Sequence, residues 1–204
     1  MTKPATILKS PDKRLRQISK HITKVDKKTQ PVFDEIRATL IDRADGVGLA
    51  AIQIGHPYRV FGTYLPFVID NFPKHQAKTI NSVRFFINPK IIRTSTKKAF
   101  TKEKDGGFTM EGCLSQPGLY AAVPRYEEVE LEFQEIDPQT GQLTPPRRET
   151  FHDFYARNVQ HEVDHLNGVL FTDYILDLNL ALYQGHSKTD RLEEIEDLSF
   201  IKAY

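Results

Sequence analysis

The 204-residue sequence predicts an α+β fold in a single domain, because segments with a helical repeat occur beside segments that alternate like strands. Apolar residues recur every three or four positions after Pro31, and again between residues 156 and 166. Between residues 128 and 136 they alternate instead with polar residues, as in a strand with one buried face. We therefore expect helices and strands around one core that spans residues 1–204.

The first half of the chain predicts one helix and two strands. The helix runs from residue 29 to about residue 44 and ends before Gly46. Strands are expected at residues 59–65 and 85–87. The intervening residues, about 66–84, show no clear periodicity and are predicted to form a surface insertion.

The second half predicts a hairpin followed by a second helix. A turn signal at residues 137–141 returns the strand toward Leu143. Thr150 and Asp153 are spaced to form a capping box at the start of the helix, and Gly168 lies just beyond its end. The core-facing residues of this helix are predicted to be Ala156, Val159, Val163 and Leu166.

The C-terminal region carries weaker signals. Residues 168–174 are expected to be extended. The remainder, about 175–204, ends in an acidic and weakly amphipathic stretch from residue 187 onward. We expect this part to form a last helix or a loose tail.

Composition excludes several classes of function. A hydrophobic content of 39% and a charged content of 27% are ordinary for a soluble globular protein, and a net charge of +1 argues against a general binder of nucleic acid or anionic membranes. No apolar run is long enough to cross a bilayer, and the N-terminal residues lack the apolar core of a signal peptide. The single cysteine cannot form an internal disulfide, so a cytoplasmic location is expected.

The second helix carries two histidines, His161 and His165, four positions apart. This spacing puts both imidazoles on one face of the helix, where they can reach one metal ion. Glu162 lies at the edge of that face and can hold or deprotonate a water on the metal without being a ligand. The motif is short, and two ordinary histidines on a half-buried helix are the alternative interpretation.

Residues 46–53 combine Gly46 and Gly48 with small apolar residues and Gln53. Such backbone lies close to either a ligand or a packed neighbour. The dinucleotide-binding fingerprint needs a third glycine and a preceding strand, which are missing, and a tight turn into a buried strand is the structural alternative. The Gln53 amide could direct its N–H at a developing negative charge.

Cys113 is the only cysteine. A lone cysteine is more often a small buried hydrophobe than a ligand. This one lies between Gly106-Gly107 and residues 116–118, a setting typical of a side chain presented from a loop. Its thiolate would complete a Cys-His-His metal site with one open position, which is the catalytic rather than the structural arrangement.

Together, three motifs resemble the peptide deformylases. Residues 46–53 are similar to the family's glycine-leucine-alanine-alanine-glutamine segment, and residues 111–115 reproduce its glutamate-glycine-cysteine-leucine-serine segment. Residues 160–166 reproduce its glutamine-histidine-glutamate-x-x-histidine-leucine segment. The resemblance, which extends to about Tyr174, implies antiparallel strands wrapped around the central metal-site helix. It also implies hydrolysis of the formyl group from the N-terminal formyl-methionine of nascent polypeptides, with release of formate.

The resemblance implies roles for single residues. The implied metal ligands are Cys113, His161 and His165. A water or hydroxide on the metal would attack the formyl carbon, with Glu162 as general base and then as general acid toward the leaving amine. The Gln53 side chain and the Leu114 backbone N–H would stabilise the oxyanion. Ligand type alone favours Zn²⁺, whereas the family implies Fe²⁺ as the native ion, with Zn²⁺, Ni²⁺ or Co²⁺ possible in purified protein.

Substrate contacts are expected from both sides of the metal. The predicted substrate-binding residues are Gly46, Val47, Gly48, Gly112, Leu119, Tyr120, Phe154, Arg157 and Asn158. The glycines would let the backbone approach the substrate main chain, and the larger side chains would form two pocket walls. Each wall residue could instead merely pack against its neighbours, and Arg157 in particular could point away to an acidic partner.

The expected partners are N-formylmethionyl peptides and nascent chains, without membrane or sequence-specific nucleic-acid binding. In several bacterial members the C-terminal helix is basic and docks on the ribosome. The corresponding residues here include four acids, which argues against ribosome docking through this segment. Those acids are Glu193, Glu194, Glu196 and Asp197.

Two other functions fit parts of the sequence. A metalloprotease with the same two histidines would need a further ligand, but Phe171 stands where the metzincins have a third histidine and no methionine turn follows. A glutamate ligand such as Glu193 or Glu194 would leave Cys113 without a role. A catalytically silent homologue that binds formyl peptides should have lost Glu162, Gln53 or a metal ligand, and none is missing.

Overall fold

The computed structural model describes residues 2–43, 45–64, 82–103, 106–186 and 189–201, so most of the predicted insertion at 66–84 lies outside the described residues. Within these ranges, the α-helices are α1 (Gln30–Asp42), α2 (Asp153–Leu166) and α3 (Phe171–Leu178). The strands are β1 (Gly48–Ala50), β2 (Val60–Tyr64), β3 (Val83–Thr94), β4 (Lys98–Ala99), β5 (Glu111–Cys113), β6 (Gln116–Ala121), β7 (Arg125–Tyr126), β8 (Glu128–Gln134), β9 (Arg147–His152), β10 (Tyr183–His186) and β11 (Thr189–Glu194). Short 3₁₀ helices occupy Lys13–Arg16, Ala51–Ile54 and Ser199–Ile201.

The strands form antiparallel sheets. One sheet has the order β1-β2-β3-β8-β9, a second has the order β11-β10-β6-β5, and β4 pairs with β7. The predicted hairpin is confirmed, because β8 pairs with β9 and an isolated bridge joins Ile136 to Leu143. The first predicted helix and the strand at 59–65 are confirmed as α1 and β2.

The five-stranded sheet lies between α1 and α2. Successive side chains of a strand point to opposite faces, so Phe85 packs edge-on against Phe33 of α1 at 5.3 Å between ring centroids. Phe86 points to the other face, where its ring stacks on Phe61 at 4.8 Å and meets Tyr155 of α2 at 6.2 Å. Each face of the sheet thus covers the apolar side of one helix.

The helix α2 is surrounded by strands on several sides. Its predicted core residues are all buried against the five-stranded sheet: Ala156, Val159, Val163 and Leu166. On another side, Gln160 donates to the backbone oxygen of Tyr126 in β7 and accepts from its N–H, at 2.8 and 3.0 Å. On the side of β5, Arg157 pairs with Glu111. The expected arrangement of antiparallel strands around a central helix is therefore present.

Two local predictions about the segments flanking α2 are wrong. Thr150 lies in β9 and does not cap α2, whose N-cap is His152 and whose first residue, Asp153, has a left-handed φ of 51°. Residues 168–174 are not all extended, because α3 begins at Phe171. Asp173 accepts a hydrogen bond from the Leu170 N–H at 2.9 Å and so satisfies a free donor at the start of this helix.

The C-terminal prediction is also wrong, since β10 and β11 form a hairpin in place of a helix or loose tail. Hydrogen bonds from β10 to β6 favour the extended conformation over the weak amphipathic repeat. Among the described helices, none has the length and apolar character needed to cross a membrane.

Replacing Phe86 with alanine is expected to lower the free energy of unfolding by about 3–5 kcal/mol, because a fully buried ring is removed from the interface between the sheet and α2. The matched control Ile18→Ala removes a side chain that is 73% exposed and should change this free energy by less than about 0.5 kcal/mol. Urea unfolding measures both variants. A loss below about 1 kcal/mol for Phe86→Ala would contradict the packing described above.

Candidate active site

Three side chains from two elements converge at the base of a cleft. The donor atoms of Cys113, His161 and His165 all lie within 4.8 Å of one another, and Cys113 Sγ is 3.2 Å from His165 Nε2. The two imidazole rings, one helical turn apart on α2, have centroids 4.9 Å apart. Donors bound to one tetrahedral ion would lie about 3.5 Å apart, so this set fits a metal with little adjustment.

The cysteine reaches the histidines because β5 ends in a tight return. β5 pairs with β6 through Gly112 and Tyr120, and the register shifts so that Cys113 opposes Gln116. The backbone N–H of Ser115 points back to Cys113 Sγ at 3.4 Å. This donor stabilises a thiolate at the position where a metal ligand is needed.

Glu111 connects the cysteine strand to the histidine helix. Its carboxylate is 3.1 Å from His161 Nδ1, which leaves Nε2 of that ring available to a metal. The same carboxylate accepts two hydrogen bonds from Arg125, at 2.8 and 2.9 Å, and one from Arg157 at 2.7 Å. Arg157 therefore points to an acidic partner, which is the alternative that the sequence offered for this residue. It also borders the cleft.

The three acidic groups of the site differ in the direction of their pKa shifts. Burial opposes ionisation of Cys113, but the adjacent His165 and His161 lower the pKa of this thiol well below its usual value. For Glu111, Arg125 and His161 likewise outweigh burial and lower the pKa of the carboxyl. Burial dominates at Glu162 and raises the pKa of that carboxyl to about 7.

Glu162 lies beside the predicted metal ligands. Its side chain is buried and lines the cleft, and Oε2 has no hydrogen-bond partner among the described residues. The neighbouring backbone fits closely around it, because a Cβ at Gly48 would lie 2.3 Å from Glu162 Oε1 and 2.9 Å from Asn158 Nδ2. Glycine is therefore required at position 48 for the carboxylate to occupy this place.

Gln53 is oriented by hydrogen bonds at both ends of its amide. Oε1 accepts from the Ala50 N–H at 2.8 Å, so Nε2 must face the site, where it lies 3.2 Å from Ser115 Oγ and 3.6 Å from Cys113 Sγ. Leu114 follows the cysteine, and its carbonyl accepts from Lys9 Nζ. The buried amide and the turn at Leu114 thus lie on the cysteine side of the metal position.

The cleft encloses about 320 Å³. The predicted site residues along its walls are Gly46, Val47, Gly48, Gln53, Gly112, Cys113, Leu114, Leu119, Tyr120, Phe154, Arg157, Asn158, His161 and Glu162. His165 is buried beneath them. All of the residues predicted for substrate binding therefore share one cleft. Their individual roles stay predictions.

Sequence reasoning assigned no role to Glu111, Ser115 or Arg125. The position of Glu111 beside the site could have been found from strand periodicity. Residues two apart on a strand share a face, and Glu111 precedes Cys113 by two. Arg125 follows the strand pair by several residues and gives no such signal. Only the fold brings its guanidinium to Glu111.

A model of the polypeptide deformylase family matches residues 4–180. The chain belongs to the peptide deformylase family. The peptide deformylase of Bradyrhizobium sp. strain BTAi1 is 39% identical over 165 residues, which cover 81% of this chain and 83% of the relative.

Solved peptide deformylases have the same fold. The enzyme from Legionella pneumophila superposes with a TM-score of 0.64 at 33% identity, covering 84% of this chain and 85% of its own. The class I type b peptide deformylase of Acinetobacter baumannii, in its structure with Met-Ala-Ser bound, gives a TM-score of 0.67 at 28% identity, covering 86% and 100%. The predicted α+β fold is thus confirmed. The known function of this metal-dependent family is the hydrolysis of N-terminal formyl groups from nascent peptides.

Replacing Gly48 with alanine is expected to reduce deformylation by about a hundredfold, because the new Cβ displaces the Glu162 carboxylate. Gly46→Ala is the matched control in the same segment: its Cβ would meet the end of the flexible Leu114 side chain at 3.2 Å, so the loss should be smaller. Formate release measures activity, and thermal unfolding shows that both variants fold. A larger loss for Gly46→Ala would contradict this explanation.

Proposed function

We propose that this chain removes the formyl group from formyl-methionine at the N terminus of nascent polypeptides within the cleft described above. The observation that carries the proposal is the convergence of Cys113 with the two α2 histidines beside Glu162, a buried carboxylate whose Oε2 has no hydrogen-bond partner in the described part of the chain. Because these substrates are newly made polypeptides, we place the enzyme's action in the cytoplasm.

Cys113, His161 and His165 would hold a divalent metal ion. When bound, the ion supplies a Lewis acid that lowers the pKa of a water and polarises the formyl carbonyl. Glu162 takes the proton from the attacking water and delivers it to the leaving amine. A carboxyl whose pKa is raised to about 7 by burial is suited to both transfers near neutral pH.

Gln53 and Leu114 would supply the donors for the oxygen that becomes negative. The Gln53 amide is held with Nε2 toward the site because its Oε1 is engaged by the Ala50 N–H. The Leu114 N–H follows directly after the metal-binding cysteine. A donor fixed in advance stabilises charge as it develops, and losing one typically costs about 10²- to 10³-fold in rate.

The substrate main chain would add to β1 as an extra strand. β1 is the edge strand in the described part of its sheet, and its residue Gly48 lines the cleft together with Gly46 and Val47. The methionine side chain would then enter between the helix wall at Phe154 and the strand wall at Leu119.

The acidic C-terminal segment has no role in ribosome docking in this proposal.

Glu162→Gln is expected to reduce formate release from formyl-Met-Ala-Ser by about 10²- to 10⁴-fold, since the amide keeps the shape but cannot accept the proton. Glu127→Gln, the same change at an exposed position, should leave the rate unchanged. Metal content is measured alongside. A metal-filled wild type that releases no formate would support a silent homologue, and internal cleavage of unformylated peptides would support a metalloprotease.

We further propose Fe²⁺ as the native ion, with Zn²⁺, Ni²⁺ or Co²⁺ able to replace it in purified protein. The thiolate-imidazole donor set accepts all four ions, so metal analysis of protein purified without oxygen decides between them. Cys113→Ser should lower the bound metal by at least about tenfold, because one of three ligands is lost. Full activity with zinc as the only metal found would overturn the assignment of iron, and an unchanged metal content in Cys113→Ser would overturn the ligand set.

A further inference from the structure

The C-terminal hairpin lies outside residues 4–180, which match the family model, yet it adjoins the active-site cleft. β10 pairs with β6, placing Tyr183 opposite Tyr120 and Gln184 opposite Leu119. The other neighbour of β6 is β5, which carries the metal-binding cysteine. The strand that forms one wall of the cleft is therefore held between the metal site and the hairpin.

The contact is close at the level of side chains. The Tyr120 ring lies over two glycines, one on each neighbouring strand: a Cβ at Gly112 would be 2.9 Å from Cε1, and a Cβ at Gly185 would be 2.5 Å from Cε2. Gln184 Nε2 donates to the Gly118 carbonyl at 3.0 Å. The hairpin thus contacts three consecutive residues of the wall. These are Gly118 through the Gln184 hydrogen bond, Leu119 through strand pairing, and Tyr120 through its ring.

The hairpin is anchored at its base. The N–H of Ile195, just after β11, donates to the Leu182 carbonyl at 2.8 Å, just before β10. Leu182 and Ile201 are buried in the same apolar cluster as Cys113, and Leu119 packs against that cluster. The position of the wall strand and the position of the hairpin are consequently fixed by shared packing.

Tyr120 lies at the mouth of the cleft, since its side chain is 36% exposed whereas Glu162 at the base is 3% exposed. The formyl end of a linear peptide must reach the base, so residues beyond the methionine pass the mouth. Phe154, which is 42% exposed, lines the same cleft from α2. Two partly exposed rings that line one cleft favour contact with an apolar or aromatic side chain of the substrate.

We propose that Gly185 and Gln184 are positioning residues that hold Tyr120 in the cleft wall, and that this wall selects formylated peptides with a large apolar or aromatic residue after methionine. The inference rests on the proposed deformylase function. Gly185 leaves room for the ring, and Gln184 fixes the backbone two residues before it. The selectivity arises from contact between the substrate and the Tyr120 ring. The hairpin itself contributes no atom that binds the substrate.

The test compares kcat/KM for formyl-Met-Phe-Ser with that for formyl-Met-Ala-Ser, using the full chain with its metal bound. The wild type should prefer the phenylalanine peptide by roughly tenfold or more, the range expected when an apolar pocket discriminates by several methylene groups. Gly185→Ala and Gln184→Ala should lower this ratio at least about threefold, and Tyr120→Ala should lower it further. Tyr120→Phe should retain the preference because the ring remains.

A double variant separates positioning from a general structural effect. If Gly185 acts through the ring, combining Gly185→Ala with Tyr120→Ala should give the same ratio as Tyr120→Ala alone. Arg191→Ala, at an exposed position of β11, is the control that should leave the ratio at its wild-type value.

The outcomes separate this inference from the function on which it rests. A wild type that releases formate from neither peptide contradicts the deformylase function itself. An active wild type with no preference, or hairpin variants whose ratio is unchanged, contradicts the inference alone. Should Gly185→Ala fail to fold, Gln184→Ala still decides, and an equal loss for both peptides with reduced metal content would show a purely structural hairpin and overturn the proposal.

Discussion

The buried carboxylate of Glu111 is the constraint on which the site depends. It lies on the cysteine strand and meets His161 on the central helix, so it fixes the two halves of the metal site relative to each other. An isolated carboxylate in this interior would be strongly disfavoured. Arg125 and Arg157 compensate its charge with three hydrogen bonds, two of them a bidentate pair. The metal site is therefore supported by a charge network that is itself almost fully removed from water.

The same interior gives two neighbouring acids opposite properties. Cys113 and Glu162 are both buried, but the thiol faces both histidines and a backbone N–H, which favour the thiolate. Glu162 Oε2 faces no donor among the described groups, so burial favours the protonated carboxyl. In metal-assisted hydrolysis a thiolate can serve as a ligand to the cation, and a carboxyl that exchanges a proton near neutral pH can serve as the general base. The histidines and the backbone N–H outweigh burial at the thiol, whereas burial dominates at Glu162, and this difference separates the two groups within one cleft.

The cleft has walls of different origin. The β1 side and the α2 side belong to the part of the chain shared with the family, whereas the β6 side is continued by a hairpin beyond that part. A sheet extends readily at its edge, because the free N–H and C=O groups of an edge strand accept another strand. The C-terminal hairpin can thus adjoin the substrate cleft without displacing β5, the strand at the opposite edge of the sheet that carries Cys113.

Much of the fold was predictable from local pattern. The repeat of three and four in α1 and the alternation in β8 each correspond to one buried face, and the repeat in α2 marks the face that packs on the five-stranded sheet. The grouping of His161 and His165 with Glu162 was predictable because a helix places both histidines on one face whatever surrounds it. Cys113 lies on a different element, β5, and was joined to them through its loop setting and the resemblance to the family. The errors lie where local signals are weak. Strand pairing with Glu130 places Thr150 in β9 and overrides its capping pattern. The edge that β6 offers to β10 overrides the weak amphipathic repeat of the C-terminal segment.

The sequence by itself determined the periodic elements and the grouping of His161 and His165 with Glu162 on one helix, since these depend on residues close together in the chain. The tertiary structure decided which charges compensate Glu111, how Gln53 is turned, and which side chains line the cleft with Tyr120. Those contacts join residues far apart in sequence, such as Glu111 with Arg157 and Gly118 with Gln184. Their geometry follows from the packing of whole elements, and no short segment contains the information that sets it.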